Sequence, residues 1–123
     1  MINEAIFFDK KPGTLPLYEA VRKMIFTDFD DITVKVSKTQ IAFANKYQFA
    51  FVSLPFRKIK GSPDTYILLT FGLRRREGHP RIAVSTEPYP GRWTHHLVIA
   101  SADEVDAQVR EWVNEAYHFA DNK

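Results

Sequence analysis

The chain has 123 residues, 45% of them hydrophobic and 26% charged, with a net charge of +2, which fits one domain able to bury a core without disulfide or metal staples. It has no cysteine, which excludes disulfides, thiolate zinc sites and cysteine nucleophiles. Its apolar runs are short and flanked by charge, and Met1 to Glu4 lacks the basic and apolar regions of a signal peptide, so a cytoplasmic protein with no membrane partner is expected.

The first twelve residues hold Ile6, Phe7 and Phe8 followed by Lys10, Lys11, Pro12 and Gly13. They read as an arm, 1–12, docked on a single domain that spans 1–123. Thr14 is placed to cap a helix entered through Pro16. Leu17, Tyr18, Val21, Met24 and Ile25 then recur at helical spacing, and Asp28 to Asp31 close the element. From Ile32 the period changes to two: Ile32, Val34 and Val36 alternate with Thr33, Lys35 and Ser37. Strands are expected at 40–44, 49–54, 66–73, 81–86 and 94–100, parted by turn residues at Asn45-Lys46, Gly61 to Asp64, Gly78 to Pro80 and Pro88 to Gly91. Ser101 and Glu104 have the spacing of a capping box, with Asp103 and Asp106 at the positive end of the helix dipole. Val105, Val109, Trp112, Val113 and Ala116 form the apolar stripe of that last helix.

The order helix, strands, helix predicts an α+β fold. It is a two-layer domain, an antiparallel sheet of five or six strands with the N-terminal and C-terminal helices on one face. The count is five if the first two strands are one bent strand.

Charge is unevenly spread. From Lys35 to Arg92 there are 11 Lys and Arg against 3 acids, a balance of +8, while the rest of the chain carries 6 bases and 12 acids. Such asymmetry bears on partners rather than on fold.

Adjacent strand residues point to opposite faces, so His95 and His96 cannot easily grip one ion. With His79 and His118 far off in the chain, no metal site and no cofactor is expected. Pairing 81–87 with 94–100 sets His95 opposite Thr86 and His96 opposite Ser85. His95 then shares a core face with Ile82, Val84, Leu97 and Ile99, satisfied by a neighbouring carbonyl or carboxylate. His96 shares an open face with Arg81, Ala83, Ser85, Glu87 and Thr94, and Trp93 reads as a packing anchor. A hydrolase built on Glu87, His96 and Ser85 is the enzyme alternative. However, no serine lies in a nucleophile elbow and no phosphate loop is present, so no catalytic residue is assigned.

A sharper inference comes from the second hairpin. If Ile41 and Phe43 face the helices, Phe49 and Phe51 stand on the other face beside Ala42 and Ala44. Thr33, Lys35, Gln40, Thr70, Gly72 and Ser85 share that face. Lys38, Lys46, Arg57, Lys58, Arg74, Arg75, Arg76 and Arg92 supply a basic rim. The candidate binding residues are therefore Phe49, Phe51, Lys35, Lys38, Arg74, Arg75, Arg76, Arg81, Glu87, Arg92 and His96. Three uses of the face compete. The loop 55–64 or the N-terminal phenylalanines could cover it as a minor core. Two copies could meet there as a homodimer. Or it could take a flexible anion, single-stranded nucleic acid first and a small anionic ligand second, by aromatic stacking in a positive groove.

Lys38 to Phe43, Pro90 to His96, and Asp103 to Asp106 leading to Trp112 and Glu115-Ala116-Tyr117 carry a family likeness. On these segments the chain, from about Phe7 to Phe119, resembles the bacterial family called domain of unknown function DUF5655, broadly similar in pattern to the YjbR-like and YdhG-like small α/β proteins. The resemblance implies a stand-alone or appended domain without an established activity and without assigned catalytic residues. Some members of such families sit beside nuclease-like domains, which favours nucleic acid as the partner of a non-enzymatic binding or accessory module.

Overall fold

The computed structural model describes residues 2–54 and 65–121. The N-terminal arm is helical: α1 covers Ile2–Phe7 and leads through a 3-10 turn, Pro12–Thr14, into α2, Leu15–Asp28. Six strands follow, β1 Thr33–Val36, β2 Ile41–Ala44, β3 Gln48–Ser53, β4 Ile67–Leu73, β5 Ile82–Tyr89 and β6 Arg92–Ile99. A 3-10 turn at Ala102–Glu104 precedes α3, Ala107–Asp121. The strands form one antiparallel sheet in the order β1-β2-β3-β4-β6-β5. The α+β reading holds, and the first two strands are separate, joined at a turn where Ser37 Oγ accepts from the Gln40 amide. Among the described residues no helix is long and apolar enough to cross a membrane.

The register explains the core. Phe43 pairs with Ala50, Ala50 with Phe71, and Phe71 with His95, so these four share one face. Ile41, Val52, Leu69 and Leu97 form the next row on the same face, and all four are fully buried. The helices cover this face through aromatic chains. Phe8 packs on Tyr18 at 4.8 Å between ring centroids, and Tyr18 stacks on Phe43 at 6.1 Å. Trp112 of α3 stacks on Phe71 at 5.9 Å and donates Nε1–H to Glu77 at 3.0 Å, giving its one polar atom a partner. α2 is tied to α3 where the Arg110 guanidinium grips Asp28, holding that carboxyl below its ordinary range.

Helix starts differ from expectation in an instructive way. Thr14 does precede α2, but its hydroxyl donates to the Lys11 carbonyl at 2.6 Å instead of accepting from the helix. The Leu15 N–H bonds to the Pro12 carbonyl of the preceding 3-10 turn, and Pro16, the second helical residue, has no N–H to offer a capping hydroxyl. Ser101 Oγ accepts from the Asp103 amide and Glu104 from the Ala100 amide, so both side chains brace the 3-10 turn, each one residue away from the partner that the expected box requires. Asp106 caps α3 itself, its carboxylate accepting from the Val109 amide.

Candidate functional site

The face opposite the helices is built by the alternate residues of the same strands. One row crosses all six: Lys35, Ala42, Phe51, Thr70, His96 and Val84 are successive partners. Beside it, Gly72, Thr94 and Thr86 make a second row. The pairing of β3 with β4 runs from Ala50–Phe71 to Ser53–Leu68. Beyond that ladder, Gln48 and Phe49 on one strand and Gly72 on the other line a cavity of about 340 Å³, together with Phe51, Thr70, Thr94 and, from α3, Ala116, Phe119 and Ala120. A second cavity of about 200 Å³ adjoins it, bounded by Pro88, Tyr89, Arg92 and Trp93. The two share Gly72, Thr94 and Phe119 as a common wall. Gly72 matters because it carries no side chain at this wall. A Cβ there would lie 3.9 Å from the Phe119 ring and the Trp93 carbonyl, so anything beyond alanine would begin to fill the groove.

Cations stand over the aromatic rings of this groove. Lys46 Nζ is 5.7 Å from the Tyr47 centroid, and the guanidinium carbons of Arg74, Arg76 and Arg92 lie 5.8, 5.9 and 5.9 Å from Phe119, Trp93 and Tyr89. Each is a cation–π contact of roughly 0.5–1 kcal/mol at an exposed site. The arginine run therefore divides. Arg74 and Arg76 lean on groove rings, whereas Arg75 points to α3 and grips both oxygens of Glu115, at 3.0 and 2.8 Å, and Glu77 at 3.1 Å. Arg75 is thereby held protonated well above an arginine's ordinary value, by Glu115 first and then Glu77. Arg75 is a strut between sheet and helix.

Other expected site residues also separate. Arg81 binds both oxygens of Asp106 at 3.0 Å and the Glu104 carbonyl at 2.8 Å, clamping the start of β5 to the start of α3. Glu87 accepts from the Gly91 amide at 3.1 Å, bracing a turn in which Pro90 precedes a glycine at φ +73°. That residue order suits a type II turn. Lys35 is exposed and in the row of Phe51, while Lys38 lies in the turn at the far end of β2 from Tyr47. Arg57, Lys58 and the loop 55–64, one of the two covers expected for this face, fall outside the described residues.

Phe49 corrects the strict alternation. A bulge between Phe43 and Ala44 makes Ala44 pair with Gln48, leaving Phe49 as the extra residue of β3. Its ring is 3% exposed and meets Phe29 at 5.4 Å and Tyr117 at 5.1 Å. Phe49 is thus a core residue at the back of the cavity, and Phe51 alone stands among the small residues of the second face. The N-terminal phenylalanines do not cover that face either, since Phe8 is buried against Tyr18 on the helix side.

The histidines part as their alternation requires, with a one-residue shift. A bulge between Ile82 and Val84 sets Ser85 opposite His95 and Val84 opposite His96, not Thr86 and Ser85. His95 is fully buried, stacked on Phe71, and its Nε2 accepts from the Glu77 backbone N–H at 2.9 Å. Its partner is an amide rather than a carbonyl or carboxylate, which requires Nε2 unprotonated and the ring neutral. Burial lowers its pKa. His96 is half-buried, with Nδ1 2.8 Å from the Thr70 hydroxyl, and burial lowers its pKa as well. Ser85 and Glu87 therefore do not converge on His96, and the hydrolase arrangement does not form. Among the described residues no three His, Asp or Glu side chains gather in a way that could hold a metal.

Two features escaped sequence reasoning. Tyr47, Tyr89 and Phe119 are groove residues; the only signal for the two tyrosines was a basic residue close by in the chain, Lys46 and Arg92, and Phe119 had no local signal. Glu4 is 4% exposed, and its carboxylate accepts from the Tyr18 hydroxyl and, at 2.9 Å, from Arg22. The Tyr18 hydroxyl is pushed far above its ordinary range, by burial first and then by Glu4. The signal was there in Tyr18 and Arg22, four apart on one face of α2.

Neither the curated proteins nor the solved structures compared with this chain gave a match. The family comparison did: over residues 3–120 the sequence fits the family described as Domain of unknown function (DUF5655), and the chain belongs to it.

Proposed function

We propose that the groove where the second face meets α3 binds single-stranded nucleic acid, making this a binding or accessory module rather than an enzyme. The observation that carries the reading is the set of four cation–ring pairs around two joined cavities. Bases of any sequence can stack on aromatic rings, while nearby guanidinium and ammonium groups neutralise the phosphates. Among the described residues no carboxylate pairs with Arg74, Arg76 or Arg92, in contrast to Arg75, Arg81 and Arg110. The +8 balance between Lys35 and Arg92 adds a long-range attraction for a polyanion.

Fluorescence anisotropy with labelled DNA and RNA oligomers tests the proposal. Affinity should fall steeply with salt, and Arg74→Ala or Arg76→Ala should reduce the slope by about one for each phosphate the side chain neutralises. Phe119→Ala or Tyr89→Ala should weaken binding by about 1–3 kcal/mol with little change in slope. Arg75→Ala should leave the slope unchanged, because its charge is already paired. Absence of binding to both nucleic acids at low salt removes the proposal.

A further inference from the structure

The groove has two compartments of different character, and that division says more than a stacking surface would. The larger one is lined by two phenylalanine rings, Phe51 from β3 and Phe119 from α3, and by the polar side chains of Gln48, Thr70 and Thr94. The smaller one carries the guanidinium of Arg92 beside Tyr89 and Trp93. Gly72 and Thr94 join them, with no side chain at Gly72 to obstruct the passage. A nucleotide has the same two parts: a flat base with apolar faces and hydrogen-bonding edges, and an anionic phosphate a short distance away. Resting on the nucleic-acid reading of this groove, we infer that it holds one nucleotide unit, the base in the larger compartment and its phosphate against Arg92.

Thr70 and Thr94 offer hydroxyls that can donate or accept, and Gln48 offers both an amide donor and a carbonyl, so the edge of any base finds a partner. Thr70 is already bonded to His96 Nδ1, which fixes its hydroxyl in place. The compartment therefore takes a base that has been unstacked from its neighbours, as recognition of single strands by pockets requires. A free nucleoside monophosphate carries the same chemistry as one residue of a strand, and the two sources separate in the test.

Calorimetric titration with the four nucleoside monophosphates, with ribose 5-phosphate and inorganic phosphate alongside, reads the base and phosphate contributions apart. Nucleotides are expected to bind at least about tenfold tighter than ribose 5-phosphate. They are also expected to displace a labelled oligomer. Gly72→Val, which fills the passage, and Phe119→Leu, a milder change to the wall, should each reduce nucleotide affinity by roughly tenfold or more. Thermal melts confirm that the variants fold, and Phe119→Leu decides the matter if Gly72→Val does not. Equal binding of ribose 5-phosphate and nucleotides reduces the site to an anion patch and overturns the inference. So does an oligomer that binds with a salt slope and is weakened by Phe119→Leu, yet ignores Gly72→Val and resists displacement by nucleotides; that result leaves the broader proposal standing. If neither nucleotide nor oligomer binds, both fall.

Discussion

His95 and His96 are adjacent on β6, yet one is fully buried, stacked on Phe71 and fed by a backbone amide, while the other faces Thr70 in a half-open row. The same contrast runs across the whole sheet. The helix face is a continuous apolar layer in which Trp112 Nε1–H finds a dedicated partner in Glu77. The second face mixes Lys35, Ala42, Phe51, Thr70, His96 and Val84, with Val84 42% exposed. One strand thus serves two environments, and the difference teaches that residue type alone assigns no role here. Position relative to the pleat decides whether an aromatic or a histidine holds the fold or meets a ligand.

Substitutions on the two faces should separate cleanly, and the largest effect tests the helix face. Trp112→Ala removes a buried ring stacked on Phe71 and strands Glu77, and should destabilise by about 3–5 kcal/mol in denaturant titration. A loss under about 1 kcal/mol would mean that α3 does not dock as described. The two phenylalanines of β3 sharpen the comparison next. Phe49→Ala should cost about 3 kcal/mol, Phe51→Ala clearly less, with the loss of oligomer binding falling on Phe51. Equal costs would place both rings in one layer and undo the bulge.

Acid should act on both faces. The folded-state pKa of each histidine lies below the ordinary value of 6.5. Above that pH both folded and unfolded chains keep the rings neutral, so this stability is complete. As pH falls below 6.5 the unfolded chain takes up protons first, and stability drops by up to about 1.4 kcal/mol per pH unit for each histidine until its folded value is reached. Urea midpoints measured between pH 7.5 and 5 should show this, and His95→Gln should flatten part of it. A midpoint constant over that range would contradict a neutral, buried His95. Smallest of all, chelator should leave the melting temperature unchanged, and a shift of several degrees would reveal a metal that the described side chains do not explain.

Much of the fold was legible because it repeats. Leu17, Val21, Met24 and Ile25, and likewise Val109, Trp112, Val113 and Ala116, keep helical spacing and are all buried. Strand alternation and the turn residues located six strands to within a few residues. What alternation could not supply was the extra residue at Phe49 or the slip after Ile82, because a bulge obeys no period and depends on local geometry. The site was legible only as a face and a charge. The split of Arg74 and Arg76 from Arg75 depends on where Glu115 stands, and Phe119 reaches Gly72 only once α3 has docked, so no local pattern carries either.

The strand order also imposes a timetable on synthesis. β2, β3 and β4 each pair with the strand made just before, so the sheet can grow one strand at a time as the chain leaves the ribosome. β5 breaks the sequence: its neighbour is β6, which is made after it, and the outer edge of β4 waits for the same strand. Until Arg92 to Ile99 has emerged, Ile67 to Leu73 presents an apolar strand with one edge unpaired, the template on which nascent chains join one another. β6 then closes two ladders at once through the tight turn at Pro90 and Gly91. It also brings Arg92, Trp93 and Thr94, so the event that gives β4 its second partner also sets the sheet side of the groove, which α3 completes with Phe119.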